Sequence, residues 1–90
     1  MSLIEHLQTH ISDFICKEAE LPEDEIDLHM PLGALGVGSL VGTRLIGNLE
    51  EHFGVRLSPT LVFEHPNISE LAAAIAEIAS QANREEPAHV

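Results

Sequence analysis

The segment Gly36-Val37-Gly38-Ser39-Leu40 carries the residues whose types and spacing point most directly to chemistry. Two glycines lead into a serine that opens an amphipathic stretch. On these five residues alone the stronger reading is structural, with Ser39 as a helix N-cap and the glycines supplying the turn. The chemical reading is an exposed hydroxyl at a helix N-terminus, where backbone N–H groups and the helix dipole favour an attached phosphate. No histidine neighbours Ser39 in sequence, so a nucleophile with its own base is not indicated. A phosphodiester at this serine would be installed by a separate transferase.

Other reactive side chains are less informative. His6 and His10 stand at i, i+4 and share a helix face, but the carboxylate or third histidine of a metal site is missing from the pattern. His29, His52, His65 and His89 show no ligand spacing. The acidic run Glu18, Glu20, Glu23, Asp24, Glu25, Asp27 does not follow the calcium-loop pattern and reads as a solvated face that selects partners. Cys16 lies off the apolar stripe of its helix and reads as an incidental thiol.

The elements that must position Ser39 are short. Ninety residues fit one domain with one modest core. Apolar residues make up 44% of the chain, too many for a disordered segment. There is no Trp and no Tyr, so the core must be aliphatic, which favours helices. The net charge of −11 repels nucleic-acid phosphates and anionic membrane surfaces and favours basic protein partners. A single cysteine forbids an internal disulfide, no apolar run reaches membrane-spanning length, and no signal peptide is visible, so a cytoplasmic location is expected.

Residues 2–19 predict a first helix with Leu3, Leu7, Ile11, Phe14 and Ile15 on one stripe, Ile4 beside it, and Ser2 and Glu5 as a capping box. Residues 21–38 form a long connection, which Ile26, Leu28, Met30, Leu32 and Leu35 should pin to the helices. Residues 39–53 predict a second helix with Leu40, Leu45, Ile46, Leu49 and Phe53 on its apolar side and Gly54 as its stop. Gly42 and Gly47 inside it suggest close packing or the approach of a partner. A short helical turn is expected over 59–65. A last helix is expected from an Asn67 cap, with Glu70 three residues on, to about Ala79. Residues 80–90 are expected to be a loose tail beyond a domain of residues 1–79. The fold class is all-α, three main helices plus one short one.

At this point the residues resemble a known family. Leu35-Gly36-Val37-Gly38-Ser39-Leu40 is similar to the phosphopantetheine attachment motif of carrier proteins, usually L-G-x-D-S-L. Glu25-Ile26-Asp27 with Pro31-Leu32 resembles the family's approach to that motif. Leu49-Glu50-Glu51-His52-Phe53-Gly54-Val55-Arg56-Leu57 resembles its "L-e-x-x-F-G-v-x-L" stretch. Pro59-Thr60-Leu61-Val62-Phe63-Glu64-His65-Pro66-Asn67-Ile68 resembles its "P-x-T-L-v-F-d-H-P-T-i" segment, with Leu71-Ala72 after it. The pieces are individually weak, but their order and spacing from about residue 3 to residue 79 are specific. They lean towards acyl carriers of the polyketide-synthase type, with peptidyl carriers as near relatives.

The resemblance implies an acyl-carrier-like four-helix bundle whose second helix begins at Ser39. It implies a covalent 4'-phosphopantetheine on Ser39, loaded from coenzyme A by a phosphopantetheinyl transferase, and no catalysis or metal of the chain's own. It implies synthase partners such as a ketosynthase or acyltransferase, and a monomer. Recognition would fall on the second helix and its approach: Val37, Gly38, Leu40, Val41, Gly42, Arg44 and Asn48, with Val62 and Phe63 nearby. One position departs from the family. Gly38 stands where an Asp usually precedes the serine, and in the family that Asp is associated with holding magnesium during transfer. Slower loading, a narrower choice of transferase, and a carrier-like domain that works by docking alone all remain open on this substitution.

Overall fold

The computed structural model describes the backbone of residues 2–85 and the side chains of residues 2–81. Helix α1 spans Leu3–Ala19, α2 Ser39–Phe53, α3 Leu61–Glu64 and α4 Ile68–Glu85. Two 3₁₀ turns, Glu23–Glu25 and Leu32–Leu35, lie in the connection between α1 and α2.

Local chemistry sets the helix ends. The Ser2 hydroxyl accepts from the Glu5 amide at 3.2 Å, and the Glu5 carboxylate accepts from the Ser2 amide at 3.0 Å, closing the expected capping box. The bond from the Ser2 amide holds the Glu5 carboxyl below its ordinary range. Helix α1 ends where Glu20 turns left-handed, two residues before Pro22. Gly54 closes α2 at φ +68°, a conformation that costs an L side chain and suits glycine. Asn67 caps α4, its Oδ1 accepting from the Glu70 amide at 2.8 Å.

Helix α1 packs chiefly against α4. The core holds Leu7, Ile11 and Ile15 of α1, Leu45, Ile46 and Leu49 of α2, and Ile68, Leu71, Ala72 and Ile75 of α4. Each set repeats at three- or four-residue spacing, one stripe per helix. The long connection is pinned as expected. Leu32 and Leu35 are buried, while Ile26, Leu28 and Met30 pack half-buried against the core. Two long-range bonds tie it further: the Leu32 amide donates to the Pro66 carbonyl at 2.8 Å, and the Ser69 amide donates to the Leu28 carbonyl at 3.0 Å.

Three expectations change. Leu3 is 41% exposed, although it falls on the stripe of Leu7, Ile11 and Ile15. Leu40 is 71% exposed, because it stands about 140° around α2 from Leu45 and so falls off the buried stripe. The last helix runs to Glu85, so residues 80–85 of the expected tail are helical and the boundary drawn at residue 79 falls inside α4. The apolar stripe fades there, but Gln, Ala, Arg and Glu are good helix formers, and Gln81 bonds back to Glu77 at 3.1 Å. Residues 86–90 of that tail, His89 among them, lie outside the described residues.

Candidate functional site around Ser39

Ser39 is the first residue of α2, and Gly38 before it occupies the N-cap position. Gly38 is extended, at φ −93°, and makes no side-chain cap. Ser39 is therefore one place inside the helix, and the capping role that competed with the chemical reading falls away. Its side chain is exposed. Its carbonyl accepts from the Thr43 hydroxyl at 2.8 Å, one turn on. A Cβ on Gly38 would meet nothing within 4 Å, so the backbone approaching Ser39 is open to a bulky group or an incoming protein. No acidic residue stands in the first turn of α2, which leaves the positive end of the helix dipole uncancelled beside the serine.

The approach to Ser39 is held firmly. Gly36 ends the second 3₁₀ turn at φ +89°, and its amide donates to the Gly33 carbonyl at 3.2 Å. The Val37 amide donates to the Leu32 carbonyl at 3.1 Å. Leu32 and Leu35 thus anchor the turn in the core while Gly38 and Ser39 remain at the surface. Beside this turn lies an apolar cleft of about 310 Å³, walled by Pro31, Leu32, Val37 and Gly38 on one side and Val62, Phe63 and Pro66 on the other.

The expected recognition residues divide. Leu40 and Phe63 are the most exposed large hydrophobic residues described, at 71% and 66%, and Val37 and Val41 are half-buried. Arg44 is exposed and pairs with Glu18 of α1 at 3.0 Å. Asn48 is exposed but turned to α1, where its Oδ1 meets His10 Nε2. It stands nine residues from Ser39, about 13 Å along the helix. Gly42 and Val62 are withdrawn from the surface: both are buried, and they touch each other. The reason is that Gly42 shares the stripe of Leu45, Ile46 and Leu49 and faces α3.

Sequence reasoning missed an aromatic cluster on the other end of α2. His10 stacks on His52 with ring centroids 4.3 Å apart, and Phe53 meets both rings edge-on. The residues are 42 positions apart, and nothing in either local pattern signals the pairing. Among the described residues no three potential ligands converge as a metal site. Partial burial pushes the Cys16 thiol above its ordinary range, and the nearby Glu23 and Asp13 carboxylates push it further, so it is a poor nucleophile at neutral pH. No helix among the described residues is long and apolar enough to cross a membrane.

The exposed Ser39 hydroxyl, the open space beside Gly38 and the acid-free helix N-terminus fit a phosphodiester-linked group. Comparison with known proteins identifies a family that carries such a group. The family model described as "Phosphopantetheine attachment site" matches residues 9–75. The chain is 42% identical over 72 residues to one of the phenolphthiocerol/phthiocerol polyketide synthase proteins of Mycobacterium tuberculosis, covering 80% of this chain and 3% of that protein. It is 30% identical over 70 residues to the polyketide synthase PksM of Bacillus subtilis, covering 78% of this chain and 2% of that protein. The chain thus spans a few per cent of the length of these relatives. Among solved structures it is similar to a free-standing peptidyl carrier protein from Acinetobacter baumannii, with a TM-score of 0.77 and 26% identity over 82% of this chain and 92% of the other. It is also similar to an A1-type acyl carrier domain from module 5 of MLSA1, with a TM-score of 0.74 and 25% identity over 84% of this chain and 77% of the other. This helical chain belongs to the phosphopantetheine attachment family and is a carrier domain of the kind found in polyketide synthases.

Proposed function

We propose that this chain holds a polyketide-type acyl intermediate on a 4'-phosphopantetheine arm at Ser39 and presents it to synthase enzymes. The observation that carries the reading is the position of Ser39: exposed, first in α2, and followed by a first turn free of acidic residues. When bound, the arm supplies a terminal thiol on which an acyl group rides as a thioester. The chain's own part is to offer the Ser39 hydroxyl, orient it at a rigid helix start, and steady the attached phosphate by the helix dipole. The loading base belongs to a phosphopantetheinyl transferase, which the family's chemistry requires as a partner.

Partners meet this surface through Leu40, Val41, Arg44 and Phe63, with Val37 and Gly38 beside the serine. The −11 charge steers basic partner faces towards the chain and makes their encounter salt-sensitive. A peptidyl cargo is the second reading, favoured by the likeness to the Acinetobacter baumannii carrier.

The test is the intact mass of the purified chain after incubation with a broad-specificity transferase, coenzyme A and magnesium. A gain of one phosphopantetheine, absent in Ser39→Ala, is expected. No gain in the wild-type chain overturns carrier function in this form and leaves docking as the role of the carrier fold around Gly38. Reconstitution with ketosynthase or condensation partners then separates acyl from peptidyl cargo.

A further inference from the structure

Gly42 stands one turn beyond Ser39 and is buried against α3. A Cβ at this position would lie 2.9 Å from Val62 Cγ2, far inside the separation at which carbon atoms rest. At that point the two helices meet so closely that any side chain in place of glycine would force Val62 or α3 to shift. Helix α3 is only four residues long and has few other means of holding its place. Its anchors are buried Leu61 and Val62, the Thr60–Glu64 side-chain bond at 2.7 Å, and the following Pro66 carbonyl taken by Leu32. Val62 meets Gly42 on one side and walls the cleft beside Gly38 on the other, and Phe63 follows it at the cleft mouth.

We propose that Gly42 is a positioning residue for the serine site: by letting α3 seat against α2 it sets the width of the cleft between Val37–Gly38 and Val62–Phe63, and with it the place of Phe63 relative to Ser39. Its readout in loading rests on the carrier reading above; its structural readout does not. Relieving the contact that an added Cβ makes requires α3, or the Val62 side chain, to move by roughly 1 Å. Because α3 is short and Phe63 projects from it, that movement reaches the surface a partner uses.

The geometry also supplies the rescue. Val62→Ala removes both Cγ atoms and leaves the residue 62 Cβ, which lies 3.6 Å from the Cβ that Gly42→Ala adds, an ordinary contact. Gly42→Ala alone should raise the transferase's KM for the carrier about tenfold with kcat little changed, less than the roughly hundredfold that an ångström misplacement at the reacting atoms can cost. The double variant Gly42→Ala/Val62→Ala should return to within about threefold of wild type. The melting temperature of Gly42→Ala should not fall in proportion, because Ala in a helix interior is favoured over Gly by about 1 kcal/mol. NMR shifts of the Phe63 ring in the unloaded chain should move in Gly42→Ala and return in the double variant.

An unmoved Phe63 ring, or a loading defect that Val62→Ala does not relieve, overturns the proposal. If Gly42→Ala does not fold, the double variant decides: it should fold, keep the wild-type Phe63 shifts and load, and its failure in any of these overturns the proposal. If the wild-type chain is not loaded at all, the carrier reading fails, and the Phe63 shifts still decide whether Gly42 positions α3.

Discussion

Leu35→Ala tests whether the connection before Ser39 is part of the core or merely lies on it. Leu35 is 2% exposed and ends the 3₁₀ turn from which Gly36, Val37 and Gly38 lead to the serine. Truncation removes three buried carbon atoms and leaves a cavity under a loop that is tied at Leu32 to Pro66 and at Leu28 to Ser69. Leu→Ala changes in cores cost about 2–5 kcal/mol, and a site near the surface can partly collapse, so the lower half applies, about 2–3 kcal/mol. With a urea m-value of about 1 kcal/mol/M for a small domain, the midpoint should fall by about 2–3 M at unchanged m. The melting temperature should fall by about 10–20 °C. Total stabilities of small domains are about 5–15 kcal/mol, so the variant should remain folded in the cold. Urea unfolding followed by circular dichroism measures the effect. A loss below about 1 kcal/mol at unchanged m would refute the argument, because it would mean that the turn before Ser39 is not held by core burial.

Two further substitutions probe charge. Asp13 of α1 faces Glu23 of the first 3₁₀ turn, and a proton shared with Asp13, followed by repulsion between the two carboxylates, raises the Glu23 carboxyl above its ordinary range. A raised acid contributes stability that is complete below the unfolded value near 4.5 and is lost as pH rises through the folded value. Glu23→Gln should therefore be more stable than wild type at pH 7, with the gap closing on acidification towards pH 4 in thermal melts; a gap that widens instead contradicts the repulsion. Gly38→Asp places a carboxylate in open space at a φ that any residue adopts. It should add a few tenths of a kcal/mol as an N-cap and speed magnesium-dependent loading, and unchanged loading would show that the carboxylate is not what limits this chain.

Much of the scaffold around Ser39 is legible in the sequence because it is local. The Ser2–Glu5 box, the Asn67–Glu70 cap, the stop at Gly54 and the start of α2 next to Ser39 all depend on residues within four positions of one another. Periodicity likewise marks Leu7, Ile11 and Ile15, and Leu45, Ile46 and Leu49, because one face of each helix must leave water. The reading weakens where the pattern is apolar but nothing covers it, as at Leu3 and Leu40, and where helix propensity outlasts the apolar stripe, as over residues 80–85.

The site's surroundings come from contacts between residues far apart in the chain. Periodicity says that Gly42 faces inward or is merely small; only the arrival of Val62 makes its missing Cβ necessary. The same contact buries Val62 and leaves its neighbour Phe63 in solvent, a distinction that two adjacent apolar residues do not carry themselves. The His10–His52 stack and the Leu32–Pro66 bond join residues 42 and 34 positions apart. A helical bundle with a serine at the start of its second helix is written in the chain itself, since those features follow from short-range bonding and periodicity, and the carrier reading follows from the resemblance of its motifs to a known family. Which side chains stand around that serine was left to tertiary packing, because exposure is a property of the neighbour that covers a residue and not of the residue.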